Sequence, residues 1–488
     1  MKLTDSAAAK RLLGSTLFRY ALVGGGVSLF DIVFFNSLIY LAGSYYLLAA
    51  LVSNACSFFI RFFLQKHFAF QKSSMDGVRR QLLFYGLLFA VSIVLTGGIM
   101  FLLVGRFGLN ASVAQIVTIA LVAGTSFFVY RHVVFPSADP RRLLIFTQKM
   151  DRDDFVLGFF HDWVKEFGLH FDAITVVCLG KGNIDETALK ERKICVRSLG
   201  KEKGGSRLSY IFTFYKTLWD IRGTYGSVFV HMNQEYVLMG GLMWHMFGRK
   251  VYMWRNHHAG NILTDIAAAL CHKVFCTSKY SYTAKYKKTV LMPVGVDTEL
   301  FKRDPGIAKV PRSLLFLGRI APVKKPDALL EALDEMKRDG TAFAASVYGD
   351  PLPKDASYRD SLKDMAARFD LRDRVSFHPG VPHGQTVSVY NAHEVFVNLS
   401  SSGMYDKTIF EAMACETLVL ASNRNLQGLV DERFIFAEGQ RSDLVAKLTR
   451  LLNLAGERQE WGRKLREIVM RDHSLSELGK RLEHEICS

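Results

Sequence analysis

The sequence predicts an α-helical membrane bundle of four spans, followed by two doubly wound α/β domains that face a cleft. Three observations carry this. Nearly all the long apolar runs lie before Phe135. After Arg141, apolar strand-like runs alternate with helical stretches, the pattern of a parallel sheet covered on both faces. The alternation breaks at Gly295–Pro311, a polar segment containing Pro and Gly, and then restarts. The chain's 488 residues exceed one core, since domains usually run ~100–200 residues. The expected division is 1–136, 143–300 and 305–488.

The spans fall at Leu17–Ala42, Leu47–Phe63, Gln81–Val104 and Ala111–Val129. Each is near the ~20 residues that cross hydrocarbon as a helix. Several long stretches in series exclude a cleaved signal peptide, which has one short apolar region. Lys and Arg gather in alternate connections: Lys2, Lys10, Arg11 and Arg19 first, then Lys66, Lys72, Arg79 and Arg80, then Arg131, Arg141 and Arg142. The connections between carry one charge, Arg106. The bias places both ends of the bundle, and all that follows it, in the cytosol, as in a multi-pass protein of a bacterial-type inner membrane.

Phe62–Phe70 (FFLQKHFAF) and Phe127–Phe135 (FFVYRHVVF) coincide at an offset of 65 residues, which implies two copies of a two-span unit. Asp31 lies inside the first span, where a carboxyl is costly and marks a functional site by default. Counting ~1.5 Å per residue sets Asn54 at the same depth. The two form either a polar site for a lipid headgroup or water, or a bond between helices. Gly24, Gly25 and Gly26 are expected to permit close helix packing.

The net charge of +16 fits nucleic acid or an anionic membrane surface. No basic block interleaves with aromatics and no zinc-finger spacing occurs, so the membrane is favoured and nucleic acid is not expected. The seven cysteines are scattered and form no CxxC, as in reduced cytosolic thiols.

In the α/β part, strands are expected at Leu143–Gln148, Ile174–Leu179, Ser227–Met232, Val251–Trp254, Lys273–Ser278 and Thr289–Val294. After the hinge they are expected at Ser313–Gly318, Phe343–Gly349, Arg374–Gly380, Glu394–Ser400, Thr417–Ser422 and Arg433–Glu438. The loop GRIAPVKKP (Gly318–Pro326) joins a strand to a helix and carries Arg319 and Lys324. A guanidinium fork and an ammonium suit phosphate oxygens. In SSSGMYDKTIFEAMACETLVLAS (Ser400–Ser422), Asp406 reads as an N-cap, and the helix start behind it favours an anion. Glu411, one turn in, can accept hydrogen bonds from two ribose hydroxyls or offset the helix dipole.

Two resemblances follow from these motifs. FRYALVGGG, Asp31 and the two span-ending FF…[KR]H…F units resemble the GtrA family, four-span proteins tied to polyprenyl-phosphate sugars. GVDTELF, GRIAPVKK, the YGD at Tyr348–Asp350, VSFHPG and FEAMAC together resemble the retaining nucleotide-sugar glycosyltransferases of family 4, whose GT-B fold pairs two Rossmann-like domains. That resemblance implies that Arg319 and Lys324 hold a diphosphate, Glu411 holds the ribose, and backbone near His378–Gly380 meets the base; Gly380 and Asp350 count among the donor-binding residues. It implies a nucleotide-diphosphate sugar as donor; with Arg319, Lys324 and helix amides on the diphosphate, no metal or other cofactor is expected.

The sequence departs from the family at Gly403, where a glutamate near the sugar is usual; Asp406 and Lys407 are the residues placed to compensate. Asp151-Arg152-Asp153-Asp154 contains a DxD, read as loop and N-cap carboxylates. The acceptor belongs to the first domain, where His231 and Asn233 follow one strand and His257 and His258 another. His257 fits the family's sugar-contacting histidine. The implied function is transfer of a sugar to a polyprenyl-linked acceptor in cell-envelope polysaccharide synthesis. The alternative is a lipid-linked sugar translocator with a non-catalytic soluble domain.

Overall fold

The computed structural model describes residues 15–40, 46–70, 78–130, 134, 139–154, 156–402, 405–454 and 456–488. Gly403, Lys72, Arg131 and the loop at 43–45 lie outside them. The chain divides into two compact units, Met1–Ala138 with His245–Gly248, and Asp139–Trp244 with Arg249–Ser488.

The N-terminal unit is helical. Its helices are Thr16–Tyr40, Tyr46–Leu64, Val78–Met100 and Ala111–Val129, and the second and third run on as π-helix over Gln65–Ala69 and Phe101–Arg106. By length and composition, Thr16–Tyr40 and Gln81–Arg106 can cross a membrane. Most of their apolar side chains are exposed, as lipid-facing helices require. The buried core is an aromatic cluster around Phe62, Tyr85 and Tyr130.

That cluster carries the internal repeat. Tyr20 packs edge-on against Phe127 with centroids 5.3 Å apart, and Tyr85 packs edge-on against Phe62, also at 5.3 Å. Tyr85 is Tyr20 displaced by 65 positions, and Phe127 is Phe62 displaced by the same number. Each copy therefore inserts its tyrosine against the span end of the other. Gly24, Gly25 and Gly26 do not serve close packing. A Cβ on any of them meets nothing within 4 Å among the described residues.

The second unit contains two parallel sheets. The first has seven strands in the order β3-β2-β1-β4-β5-β6-β7. They are β1 Arg142–Met150, β2 Ala173–Lys181, β3 Ile194–Ser198, β4 Ser227–His231, β5 Lys250–Trp254, β6 Lys273–Cys276 and β7 Thr289–Leu291. The second has five in the order β10-β9-β8-β11-β12. They are β8 Ser313–Leu317, β9 Ala344–Tyr348, β10 Val375–His378, β11 Val395–Asn398 and β12 Leu418–Ala421. Both orders reverse direction at a central strand, and such reversals open a crevice at the carboxyl ends of the strands.

Two strand expectations fail. Arg433–Glu438 is not a strand. Asp431 caps a short 3₁₀ turn at Glu432–Phe434, and a single bridge joins Ile435 to Ala421. Phe434 and Phe436 enter the core instead of extending the sheet. Conversely, Ile194–Ser198 is an edge strand that apolar runs did not reveal.

The chain crosses between the two sheets at Gly295 and returns at its end. The last helix, Leu475–Cys487, packs Leu478, Leu482 and Ile486 into the core of the first sheet beside Trp163 and Phe167. The Tyr252 hydroxyl donates to the Ile486 carbonyl at 3.2 Å. Trp163 Nε1 donates to the Gly295 carbonyl at 2.9 Å at the crossover.

Candidate active site

The site forms where β8 and β11 end. The β8 loop carries Arg319 on its surface, exposed and with no side-chain ion pair or hydrogen bond among the described residues. Lys325 takes a left-handed conformation (φ 53°) that starts the helix Pro326–Arg338 and leaves Lys324 turned toward the end of β11. A second loop must approach closely here. A Cβ on Gly349 would lie 1.9 Å from the Gly318 carbonyl oxygen, and Gly349 also adopts φ +150°, so only glycine fits.

Lys324 is not a free cation. Its ammonium donates to Ser400 Oγ at 3.1 Å and forms a short ion pair with Asp406. Asp406 stands at the N-cap position of the helix Lys407–Ala414, yet its side chain makes no capping bond. This corrects the N-cap reading. Its Oδ2 also accepts from Asn398 Nδ2 at 3.1 Å and Ser400 Oγ at 3.0 Å, and its Oδ1 accepts from Thr408 Oγ1 at 3.0 Å. Burial pushes this carboxyl up. The Lys324 charge and the hydrogen bonds outweigh burial and hold it well below the usual carboxylate range. The Ile409 amide bonds to the Asp406 carbonyl at 3.1 Å, and the helix start, without a side-chain cap, favours an anion.

Glu411 is turned inward, at 3% exposure. His383 Nε2 lies 2.8 Å from its Oε1, and the Tyr390 hydroxyl donates to Oε2 at 3.1 Å. Burial raises its pKa, but His383 and Lys407 together with these bonds leave it lowered. The expected ribose acceptor is thus also the fastener of the turn His383–Gln385, a pairing that sequence reasoning missed. Asp350 and Gly380 are brought together: the Gly380 amide donates to Asp350 Oδ2 at 2.9 Å. A Cβ on Gly380 would lie 2.9 Å from that oxygen, so the glycine admits the carboxylate.

Lys407 reaches toward the first sheet. Its Nζ lies 4.1 Å from the centroid of Phe159 and 5.5 Å from that of Trp163, a cation–π arrangement on the helix Gly158–Phe167. Burial depresses its pKa to about 8, with Glu411, Asp162 and Asp297 opposing. Across the same cleft, Ser278 Oγ donates to Asn425 Oδ1 at 2.8 Å.

The histidine expectations divide. His231 does not face the cleft as a ligand. It is buried, stacked on Phe160 at 4.0 Å, and its Nδ1 lies 3.4 Å from Thr147 Oγ1. Burial, with the Lys407 charge, lowers its pKa to about 3, so it is neutral. The reason is the helix Gly158–Phe167, which covers the end of β4. Asn233 is half-buried beyond that strand. His257 is half-buried, and its Nδ1 accepts from the Ala259 amide at 3.0 Å in a local turn. His258 is exposed and stacks on His257 at 4.6 Å.

The DxD carboxylates fasten their loop. Lys149 pairs with Asp151 at 2.9 Å and Asp154 at 2.8 Å, and Asp154 Oδ1 accepts from the Val156 and Leu157 amides at 2.9 and 2.8 Å. In the helical unit, Asp31 accepts from two serines one turn apart. Ser53 Oγ and Ser57 Oγ donate to Asp31 Oδ1 at 2.5 and 2.8 Å. Asn54 joins Asp31, Ile32, Phe35 and Ser53 in lining a pocket of about 220 Å³.

Two parallel-sheet domains with an anion-ready loop and helix start at their shared strand ends define a GT-B-like protein. Residues 297–468 match the family described as glycosyl transferases group 1, and residues 19–135 match the GtrA/DPMS transmembrane domain. Among curated relatives, a D-inositol 3-phosphate glycosyltransferase of Kineococcus radiotolerans is 34% identical over 154 residues, 29% of this chain and 35% of the relative. One of Frankia alni is 33% identical over 153 residues, 29% of this chain and 38% of the relative. The chain thus spans little more than a third of the length of these relatives. Among solved structures, Anabaena HepE in complex with UDP-glucose superposes with TM-score 0.58 at 17% identity, over 71% of this chain and 99% of its own. Sucrose-phosphate synthase of Thermosynechococcus elongatus gives 0.57 at 15%, over 70% and 98%.

Proposed function

We propose that this chain transfers a sugar, with retention, from a nucleotide-diphosphate sugar to a polyprenyl-phosphate or polyprenyl-diphosphate acceptor. The reaction runs at the cytosolic face of the membrane, on a chain anchored by a four-span bundle with both ends in the cytosol, and is of hexosyl-transfer type. The observation that carries the proposal is the β8–β11 site, in which Lys324 bonds to Ser400 and to Asp406 at the start of the helix Lys407–Ala414 while Arg319 is exposed on the same loop, on one chain with a GtrA/DPMS transmembrane domain.

Cleaving a sugar–diphosphate bond builds negative charge on the leaving group, and preorganised cations and amides stabilise it. Arg319 supplies a fork and Lys324 a point charge. Lys324 exchanges part of its bond to Asp406 for a phosphate oxygen. Glu411 fixes the His383 turn and offers its remaining lone pairs to ribose. Lys407 is assigned to the sugar and His257 to the acceptor. The UDP and UDP-glucose complexes of HepE support this class of donor. The apolar helices support an acceptor carried by the lipid rather than a soluble one.

Calorimetric titration of nucleoside diphosphates tests the site. The wild type is expected to bind at least one of UDP, GDP, ADP and dTDP. The Arg319→Ala and Lys324→Ala chains are expected to bind it at least tenfold more weakly. Equal affinity in all three proteins would sink the site. A second reading, a lipid-linked sugar translocator whose α/β unit only binds and regulates, draws on the ion pair that already engages Lys324. It predicts nucleotide binding without product.

A further inference from the structure

The helix Arg207–Ile221 has two apolar faces. Phe214, Leu218 and Ile221 enter the core beside the seven-stranded sheet. Leu208, Ile211, Phe212, Tyr215 and Trp219 stay between 41% and 78% exposed. At ~100° per residue these five fall in one stripe about 100° wide, roughly a quarter-turn from the buried face. The neighbouring helices widen it. The Tyr215 hydroxyl donates to the Met239 carbonyl at 3.0 Å, and Leu242 on that second helix is exposed. A Cβ on Gly241 would lie 3.0 Å from Leu270, which follows a third helix with Ile262 and Ile266 exposed.

The charges around the stripe are mainly basic, with Glu202 exposed in the preceding turn and Glu235 exposed on the second helix. Arg207, Lys216 and Arg222 flank it, and Lys201 and Lys203 are exposed in the preceding turn. The Arg222 guanidinium lies over the Trp219 ring at 4.3 Å. Asp220, an acid on the same helix, falls on the opposite side.

We propose that this face docks on the bilayer surface, with its apolar stripe in the interface and its basic rim on anionic headgroups. A contiguous exposed apolar patch of this extent marks an interaction site. An apolar stripe with basic flanks and Trp and Tyr at its edge is the form that lies in a membrane interface. The excess of cations on the rim favours anionic lipid. The chain supplies the proximity: at ~3.5 Å per residue, the segment between Val129 and Arg142 keeps the α/β unit within reach of the bilayer that holds the spans. The seven-stranded domain would then hold a fixed orientation to the membrane through its own surface as well as through its tether.

The test uses the full chain in nanodiscs of phosphatidylcholine and phosphatidylglycerol, with and without dibrominated acyl chains. Of the five tryptophans, Trp163, Trp244 and Trp254 are buried, and Trp461 packs on Phe434. Trp219 is therefore the one placed to reach lipid. Brominated lipid is expected to remove the Trp219 share of the emission, and the Trp219→Phe chain is expected to lose little. Phe212→Glu with Leu208→Glu, at exposed positions outside the core, is expected to restore Trp219 emission, with circular dichroism confirming the fold. Replacing phosphatidylglycerol with phosphatidylcholine is expected to weaken quenching. Equal fractional quenching of wild type and Trp219→Phe would overturn the proposal. So would full Trp219 emission in brominated discs, the result expected if another protein or the chain's own spans cover this face.

Discussion

Asp406→Asn removes one oxygen and one charge at the centre of the site, and the structure sets what that costs. The carboxylate takes four donors: Lys324 Nζ, Asn398 Nδ2, Ser400 Oγ and Thr408 Oγ1. An asparagine amide can still accept from Thr408, but its NH₂ then faces the other donors. Breaking a buried ion pair costs ~3–5 kcal/mol. The Lys324 side chain is 24% exposed and rehydrates in part, so the lower end applies, about 3 kcal/mol. At ~2–4 °C per kcal/mol for a domain of this size, the melting temperature should fall by about 6–12 °C. Trp461, the tryptophan of the five-stranded domain, reports the transition by fluorescence in detergent.

The pH dependence is the control. Asp406 is depressed in the folded state, so its contribution is complete above the unfolded carboxylate pKa of ~3.9. It is lost as pH falls toward the folded value. The gap between wild type and Asp406→Asn should stay constant from pH 7 to about pH 4, then narrow by up to ~1.4 kcal/mol per unit. A melting temperature unchanged at pH 7, or a gap that persists undiminished at pH 3, would refute the ion pair's role.

Arg319→Ala and Lys324→Ala should each lower turnover by about 10²–10³-fold, as loss of one charge-stabilising donor does, and nucleoside diphosphate release reads this directly. Glu411→Ala should destabilise by about 2–4 kcal/mol, because His383 and Tyr390 lose their buried acceptor. Glu411→Gln should cost less than half of that, and parallel thermal melts separate the two. Lys407 has its pKa depressed to about 8. Its charged form therefore opposes folding below that value, and stability should rise from pH 8 toward the unfolded value of ~10.4. Lys407→Met should flatten that rise; an unchanged slope would mean the ammonium is hydrated. Asp31→Asn should impair export of lipid-linked sugar across vesicles while cytosolic transfer persists, and equal loss of both would count against separate roles.

The parallel sheets were legible because strands buried on both faces read as continuous apolar runs. That signal also misled at Arg433–Glu438, where Phe434 and Phe436 are buried without a partner strand. It missed Ile194–Ser198, an edge strand whose residues alternate in burial and include Arg197. Within the site, the loop of Arg319 and Lys324 and the helix of Glu411 stood out by residue type and position. Their partners did not. Asp406 lies 82 positions from Lys324, and His383 lies 28 from Glu411, separations that no local pattern encodes. Ser53 and Ser57 were within reach of sequence reasoning. They lie four apart on one helix face, at the depth of Asp31.

Lipid-directed sugar transfer is tested most directly by one reaction. The purified chain, reconstituted with polyprenyl phosphate and extracted membrane lipids, is given a panel of nucleotide sugars labelled in the sugar. Label should move into the organic phase in step with release of nucleoside diphosphate, and Lys324→Ala should abolish both. Absence of both lipid-soluble label and released diphosphate, across all donors, would contradict the enzymatic reading and leave the translocator.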